Sequence, residues 1–508
     1  MIVQKTPETL LDLIVGGEPD HPAIIVPDGP VVTYEALQSQ VAELAAQLEV
    51  AGISAGDRVA IVLPNGIETI VSFLAVASIA TAAPLNPAYK ADEFGFYLGD
   101  TGAKALITSN GTGEEARSVV SDSVLQLEAR LSSEGRVSLH PGGDAASKTP
   151  SGSPSPDAVA LVLHTSGTTS RPKRVPLAHR NIAVSARNIV ATYDLTLSDV
   201  ALCVMPLFHI HGLVASTMST FLSGGTVVVP PRFNALSFWP MAREYGATWF
   251  SAVPSMHNAL LGRAGRGDGG HAGADSMRFI RSCSAALPVS TMADMEERFG
   301  VPVLEAYGMT EAAHQMASNP LPPGKRFPGA VGFGTGVEIG IMDEAGEMQP
   351  TRGHGEVVIK GPNVIIGYED NPEANQNSFT NGWFRTGDQG FLDEDGCLTL
   401  EGRLKELINR SGEKISPIEI DDVLLAHPAV AEAVSFAIPH KTHGEEPSAA
   451  VVLTGAADAR ELIAHCREHL AQFKCPRIIH IVDAIPRTAT GKVQRRIVAA
   501  TFADEPAS

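Results

Sequence analysis

LHTSGTTSRPKRVPL, residues 163–177, is the stretch on which the reading of this chain turns. It grows out of AVALVL (158–163), an apolar run of strand length, and the six residues from Thr165 to Ser170 are all Thr, Ser or Gly. A strand end that opens into such a loop can turn backbone N–H groups and hydroxyls toward phosphate oxygens, and Lys173 adds a cation. No Gly-Lys-Ser/Thr follows the first glycine at Walker A spacing, which disfavours a kinase or P-loop NTPase. Taken alone, the run also has the composition of an ordinary polar surface loop, so its neighbours must decide.

Outward from it, short apolar runs alternate with helical patterns: RVAIVL (58–63), AKALIT (103–108), GGTVVVP (224–230), ATWFSAV (247–253), FIRSCS (279–284) and VPVLEA (301–306). This rhythm predicts an α/β fold with parallel βαβ sheets. Leu37, Val41, Leu44 and Leu48 recur at helical intervals, which predicts a helix over 34–51 covering one sheet face. Two stretches rich in Gly, Pro, Ser or Asp, 141–157 and 262–275, read as exposed connections. From about residue 402 the pattern changes to mixed α+β. Helices are expected near 417–426 and 459–472, and strands at 433–439, 448–454 and 477–482. A large domain, 1–402, and a small mobile α+β domain, 403–508, follow.

With 38 Lys plus Arg against 57 Asp plus Glu, the formal net charge is −19, which makes nucleic acid and anionic lipid poor partners. The longest apolar stretch, Ile70 to Leu85, is too short for a membrane span and reads as a buried helix running into a strand. The N-terminus lacks the pattern of a secretory signal, and the last residues match no peroxisomal or ER-retention tail. Five scattered cysteines without a CxxC pair suggest reduced thiols and a cytoplasmic setting.

Four more segments bear on the phosphate-loop reading. EAYGMTEAAHQM (305–316) places Tyr307, Thr310 and Glu311 at a strand end, where open α/β sheets bind ligands. WFRTGDQG (383–390) carries Asp388, a carboxylate that could grip a ribose diol. GRLKELINRSGEKISP (402–417) opens the small domain with a basic, polar stretch, and PRTATGKVQRR (486–496) presents Lys492 in a Gly/Thr-rich loop. A solvated loop explains any one of them. In this order they resemble the adenylate-forming superfamily of acyl-CoA synthetases, adenylation domains and luciferases, over nearly the whole chain. Within it, LHTSGTTSRPK, PLFHIHGL (206–213), WFSAVPSMH (249–257), IRSCSAAL (280–287) and the 305–332 region look most like the oxalate–CoA ligases.

The resemblance implies ATP, Mg²⁺ and CoA as cofactors and a small carboxylic acid, oxalate foremost, as substrate. It implies that Thr165, Ser166, Gly167, Thr168, Thr169 and Lys173 hold the β- and γ-phosphates, that Thr310 contacts the α-phosphate, and that Glu311 holds Mg²⁺. Ser284, Ala285, Ala286 and Tyr307 would flank adenine, while Asp388 and Arg403 would hold ribose. Lys492 would bridge the acid and the α-phosphate. Lys405 matches the family's hinge position, about which the Ser411–Lys414 region, with Ser411 and Gly412, would replace Lys492 as the thiol enters. His209, His211 and His314, with Ser284 as a neutral donor, are the candidates for a second carboxylate, because oxalate needs donors rather than an apolar tunnel. Each histidine could equally pack or cap a loop.

Arg174 departs from the family's usual Gly, and it could touch phosphate, face solvent or stiffen the loop. Gly308 follows the broad superfamily form, where oxalate ligases often carry Ala. The acidic surface favours free CoA over an acidic carrier protein as the thiol, and a monomer and a homodimer both remain open. Malonate or a fatty or aromatic acid is the alternative substrate, and a non-catalytic acyl-adenylate binder the alternative class. A nicotinamide enzyme is disfavoured because GFGTGVEIG (332–340) precedes a strand-like run rather than opening a helix.

Overall fold

The computed structural model describes residues 6–141, 154–165, 172–263, 274–488 and 491–502. Among these, the strands form four sheets. In one, Val303–Met309, Phe279–Ser282, Trp249–Ala252, Val200–Leu202, Thr226–Val228 and Pro22–Ile25 lie side by side and parallel. Antiparallel strands close it at both edges, Val31–Thr33 on one side and His314–Ser318 on the other. A second sheet runs Leu125–Leu131, Ala105–Ser109, Arg58–Ile61, Thr81–Pro84 and Val159–Thr165 in parallel, with Lys173–Ala178 returning antiparallel to its last strand. The βαβ rhythm read from the sequence is thus present in both, and each named run supplies a strand.

Between the sheets lies the main core. The helix Tyr34–Val50 is capped by the Thr33 hydroxyl, which accepts from the Ala36 N–H, and buries Leu37, Val41, Leu44 and Leu48. Against it packs Ile67–Ile79, whose apolar residues face inward on every side. An all-round apolar helix of this kind belongs in a protein interior. It continues through Ala80 into the strand Thr81–Pro84. Among the described residues no helix is long and apolar enough to cross a membrane.

Residues 338–403 depart from the βαβ rhythm. Glu338–Met342, Gly355–Lys360, Trp383–Leu392 and Leu398–Arg403 form an antiparallel sheet, with one helix, Pro372–Ser378, in the connection between its second and third strands. The fourth sheet begins at Ile408 and has its own core, in which Ile408, Ile415, Ile420, Leu424, Val451 and Leu462 meet. Its expected elements appear as Pro417–Leu425, Val430–His440, Gly444–Leu453, Ala459–His469 and Ile478–Ile481. The parts of the two predicted connections at 142–153 and 264–273 lie outside the described residues.

Candidate active site

Parallel order places the C-terminal ends of neighbouring strands at one edge. Trp249–Ala252 delivers Val253 and Ser255 there, Phe279–Ser282 delivers Cys283 and Ser284, and Val303–Met309 delivers Thr310 and Glu311. This is where open α/β sheets bind ligands. Two backbone features tighten the edge. Ser284, Ala313 and His314 hold positive φ angles of 74°, 49° and 105°, costly for residues with a Cβ and characteristic of sites that the surroundings over-determine. The absence of a side chain at Gly308 lets the His314 carbonyl close onto the strand, where any Cβ would collide with it.

On the nucleotide side, the Tyr307 hydroxyl donates to Asp388 Oδ2, and Arg403 Nε lies 2.7 Å from Asp388 Oδ1. Burial pushes the Asp388 carboxyl above its usual range while Arg403 pulls it back. Ala285 and Ala286, which follow Ser284 at the strand end, are exposed. Glu311 is buried and accepts from the Tyr368 hydroxyl at 2.8 Å through Oε1. The Lys173 ammonium sits 4.4 Å from the centre of the Tyr368 ring. Burial lowers the Lys173 pKa, Glu311 opposes that shift, and Lys405 reinforces it. Thr165 pairs with Lys173 across the two antiparallel strands. Ser166, Gly167, Thr168 and Thr169 lie outside the described residues.

Arg174 is held among protein groups rather than turned to solvent. Its guanidinium bonds to the Asp100 carbonyl and the Asp370 carboxylate, and its Nε lies 3.2 Å from Glu369 Oε2. It is a strand residue locked among carboxylates.

Around His211 the same edge is polar. His211 opens a π-helical stretch, His211–Met218, of the kind frequent at functional sites. Gly212 lets that stretch pack directly on the carbonyls of Met205 and Pro206. His211 is fully buried, with Nε2 2.6 Å from Ser251 Oγ and Nδ1 3.1 Å from Ser284 Oγ. Both ring nitrogens are therefore engaged within the protein, and the Ser284 hydroxyl stands at the end of the chain. The His314 ring lies 4.9 Å from that of His211, centre to centre. His209 is half-buried, and its Nδ1 accepts from the His211 backbone N–H at 3.2 Å. Burial drives the pKa values of His211 and His314 well below the usual histidine range, with Arg281 the next cause in each; that of His209 is pushed down to about 3 by burial and by Lys492. All three are neutral at physiological pH.

Lys492 reaches this edge from the small domain. Its loop turns through Gly491, at φ 83°, whose carbonyl accepts from Ser255 Oγ at 3.2 Å, and a Cβ there would stand 2.7 Å from that oxygen and 2.9 Å from Val253 Cγ2. The backbone thus docks as only glycine can. Burial and Arg403 lower the Lys492 pKa, against Cys283, Asp388 and Glu311, and its charge in turn depresses all three histidines. One ammonium therefore acts on both halves of the site. Ser411 and Gly412 sit instead at the exposed tip of the hairpin joining Ile408–Arg410 to Glu413–Ile415, where Ser411 Oγ lies 2.9 Å from His443 Nδ1. Lys414 pairs with Glu344 of the antiparallel sheet at 3.0 Å. Lys405 is exposed, one residue before the Glu406 N–H that bonds back to the Arg403 carbonyl.

Sequence reasoning passed over Tyr368, Ser251 and Arg281. Tyr368 carried no local signal. Arg281 did: a charged residue inside the apolar run FIRSCS, one turn ahead of Ser284, is rare enough in a buried strand to mark a purpose.

Comparisons with known proteins show the family to which this fold belongs. Residues 12–369 match the model of the AMP-binding enzyme family, and residues 419–492 match its C-terminal domain. The chain is 46% identical to an oxalate–CoA ligase of Arabidopsis thaliana, over 98% of both chains, and 43% identical to one of Saccharomyces cerevisiae, over 95% of both. Its fold superposes on the ATP-bound MatB crystal structure from Rhodopseudomonas palustris with a TM-score of 0.88 and 30% identity, covering 98% of this chain and 99% of that one. The converging strand ends, the Tyr307–Asp388–Arg403 group and the docked Lys492 loop are thus set in a chain that belongs to the AMP-binding, adenylate-forming enzyme family.

Proposed function

We propose that this AMP-forming acid–thiol ligase activates oxalate, converting oxalate, ATP and CoA to oxalyl-CoA, AMP and pyrophosphate. The observation that carries the choice of acid is the pocket at Ser284. There the Ser284 hydroxyl meets His211, the His314 ring lies 4.9 Å from that of His211, all three histidines are held neutral, and the Lys492 charge acts on each of them. A small dianion needs such donors, because every oxygen it leaves unpaired in a buried site costs binding. The two relatives named for oxalate support the same reading.

A carboxylate is a poor acceptor because oxide would have to leave; AMP is the better leaving group. One oxalate oxygen attacks the α-phosphorus and pyrophosphate departs. Lys492 spans the acid and the α-phosphate, with Thr310 beside it. Tyr307, Asp388 and Arg403 hold adenine and ribose between them, next to the Ala285–Ala286 surface. Lys173, Thr165 and residues 166–169 hold the terminal phosphates. We assign Mg²⁺ to Glu311, whose carboxylate, oriented by Tyr368, completes with phosphate oxygens an all-oxygen donor set suited to that ion. There it would offset charge on the departing pyrophosphate. Catalysis is then mostly positioning and electrostatic stabilisation.

In the second half-reaction the CoA thiolate attacks the acyl carbonyl and AMP leaves. We infer that the chain divides into domains 1–402 and 403–508 that turn about Lys405, withdrawing Lys492 and bringing up Ser411 and Gly412. The five cysteines, all buried as free thiols, support a reducing, cytoplasmic setting.

The test is ATP- and CoA-dependent AMP release with oxalate, malonate, succinate, glyoxylate, acetate, octanoate and an aromatic acid. Oxalate is expected to lead in kcat/KM by roughly 100-fold or more, with Ser284→Ala lowering that value by at least about tenfold. Preference for octanoate or an aromatic acid would remove the polar-pocket reading while keeping the adenylation chemistry.

A further inference from the structure

Arg281 is fully buried on the strand Phe279–Ser282, and among the described residues it makes no ion pair with a carboxylate. Its Nε donates to the Tyr193 hydroxyl at 2.9 Å, one terminal nitrogen to Ser251 Oγ at 2.9 Å, and the other to Gln315 Oε1 at 3.0 Å, with His314 Nδ1 at 3.4 Å from that same nitrogen. An uncompensated cation in a protein interior is costly, and its persistence calls for a partner that arrives with the ligand.

A guanidinium only donates, and that fixes the hydrogens around it. Ser251 Oγ accepts from Arg281, and among the described residues the acceptor within reach of its own hydrogen is His211 Nε2, 2.6 Å away, which gives the direction we infer. His211, accepting there, carries its hydrogen on Nδ1 and donates to Ser284 Oγ. Ser284 in turn has its hydroxyl hydrogen free for the pocket. On the other branch, His314 Nδ1 faces the guanidinium as an acceptor and so carries its hydrogen on Nε2. We propose that Arg281 is the positioning residue of the acid site: it orients the relay Ser251–His211–Ser284 and the His314 ring so that each presents a hydrogen, and its fixed charge selects an acid with a second carboxylate. The selectivity half of this inference rests on oxalate as the substrate; the orientation half does not.

The charged and titratable groups acting on the two histidines are Arg281 and Lys492, both cationic, with His209 and His257, while Tyr193 and Cys283 act on Arg281. Among the described residues no acidic side chain hydrogen-bonds or pairs with either ring, so the two rings are held neutral while still donating. A dianion then meets hydrogens whose direction is set before it binds, which removes the cost of reorganising them.

Two measurements decide the matter. Long-range ¹H–¹⁵N spectra of the histidine-labelled wild-type enzyme, assigned with His211→Gln and His314→Gln, are expected to show His211 protonated on Nδ1 and His314 on Nε2. Both should stay neutral from pH 5 to 8. His211 protonated on Nε2 would overturn the relay, whatever the substrate. In steady-state assays Arg281→Gln is expected to raise KM for oxalate by at least about 100-fold and KM for ATP by less than about threefold. Arg281→Lys, which keeps the charge but not the fork, should fall between Gln and wild type. If Arg281→Gln does not fold, the wild-type spectra and Arg281→Lys carry the test. A folded Arg281→Gln with unchanged oxalate KM would overturn the selectivity role. A wild-type enzyme that adenylates another acid but not oxalate would remove the substrate assignment, and the spectra alone would then decide the orientation role.

Discussion

Arg174 shows how a single departure from a family's usual residue can be absorbed. Where the resemblance leads one to expect Gly, this chain carries a long cation. Asp100, Glu369 and Asp370 surround it, and Arg58 shares Glu369 at 2.9 Å. The side chain is 13% exposed, so removing it leaves several carboxylates facing one another without their cation. Arg174→Gly is expected to lower stability by about 1–3 kcal/mol, measured by denaturant unfolding, with KM for ATP changing less than about threefold. A tenfold rise in that KM without loss of stability would mean that the guanidinium serves the phosphates after all. The residue type was legible in the sequence. Its partners were not, because Asp100 and Glu369 are brought to it by tertiary contacts remote in the chain.

At the scale of elements, the strand Val303–Met309 carries both a catalytic edge and a hidden titration. Glu305 lies fully buried in it, accepting from the Leu287 N–H at 3.0 Å through Oε1 while Oε2 has no partner. Burial pushes its pKa up to about 8, and Asp422 of the small domain's helix Pro417–Leu425 adds to the shift. The raised value fixes the sign. The folded chain holds this proton more tightly than the unfolded one, so its stabilising effect is fully present below about pH 4.5 and is lost as pH rises through about 8. Glu305→Gln is expected to flatten the stability profile over that window, by on the order of a few kcal/mol in urea unfolding between pH 5 and 8. Parallel profiles for the two proteins would show that Glu305 is ionised in the fold.

Element by element, legibility followed periodicity. The runs at 58–63, 103–108 and 247–253 are apolar over strand length and became strands. The helix over 34–51 was set by its leucines. The antiparallel sheet over 338–403 escaped because its strands interleave Gly, Glu and Asp, and with a single short helix, Pro372–Ser378, among them there is no strand–helix alternation to mark a rhythm. The π-helical stretch at His211 had no signal either: it is imposed by the packing of Gly212 on Met205 and Pro206. In the site, Lys492, Glu311 and Asp388 stood out in their own segments, and the resemblance supplied the roles proposed for them. Arg281 and Ser251 contact the pocket only through strand pairing, which one sequence does not show.

For the whole molecule, function depends on a residue of the small domain being seated against the large one. The Gly491 carbonyl on Ser255 and the Lys414–Glu344 pair hold the two together in the arrangement described. In it the Lys492 loop is docked on Ser255 at the strand ends while the Ser411–Gly412 turn is exposed, the arrangement that the proposed adenylation step requires. Lys492→Ala is therefore expected to slow adenylation by at least about 100-fold, yet to spare thioester formation from pre-made acyl-adenylate and to leave ATP affinity within about threefold. Rapid-quench measurement of the two half-reactions separates these effects. Equal impairment of both would contradict the division of labour between Lys492 and the Ser411–Lys414 turn.

The most direct test of the central claim needs no CoA: oxalate-dependent exchange of labelled pyrophosphate into ATP by the wild-type enzyme and by Lys492→Ala. The predicted result is exchange with oxalate by the wild type, reduced at least about 100-fold in the variant and absent with octanoate. Exchange supported by octanoate or an aromatic acid but not by oxalate, or undiminished exchange by Lys492→Ala, would contradict it.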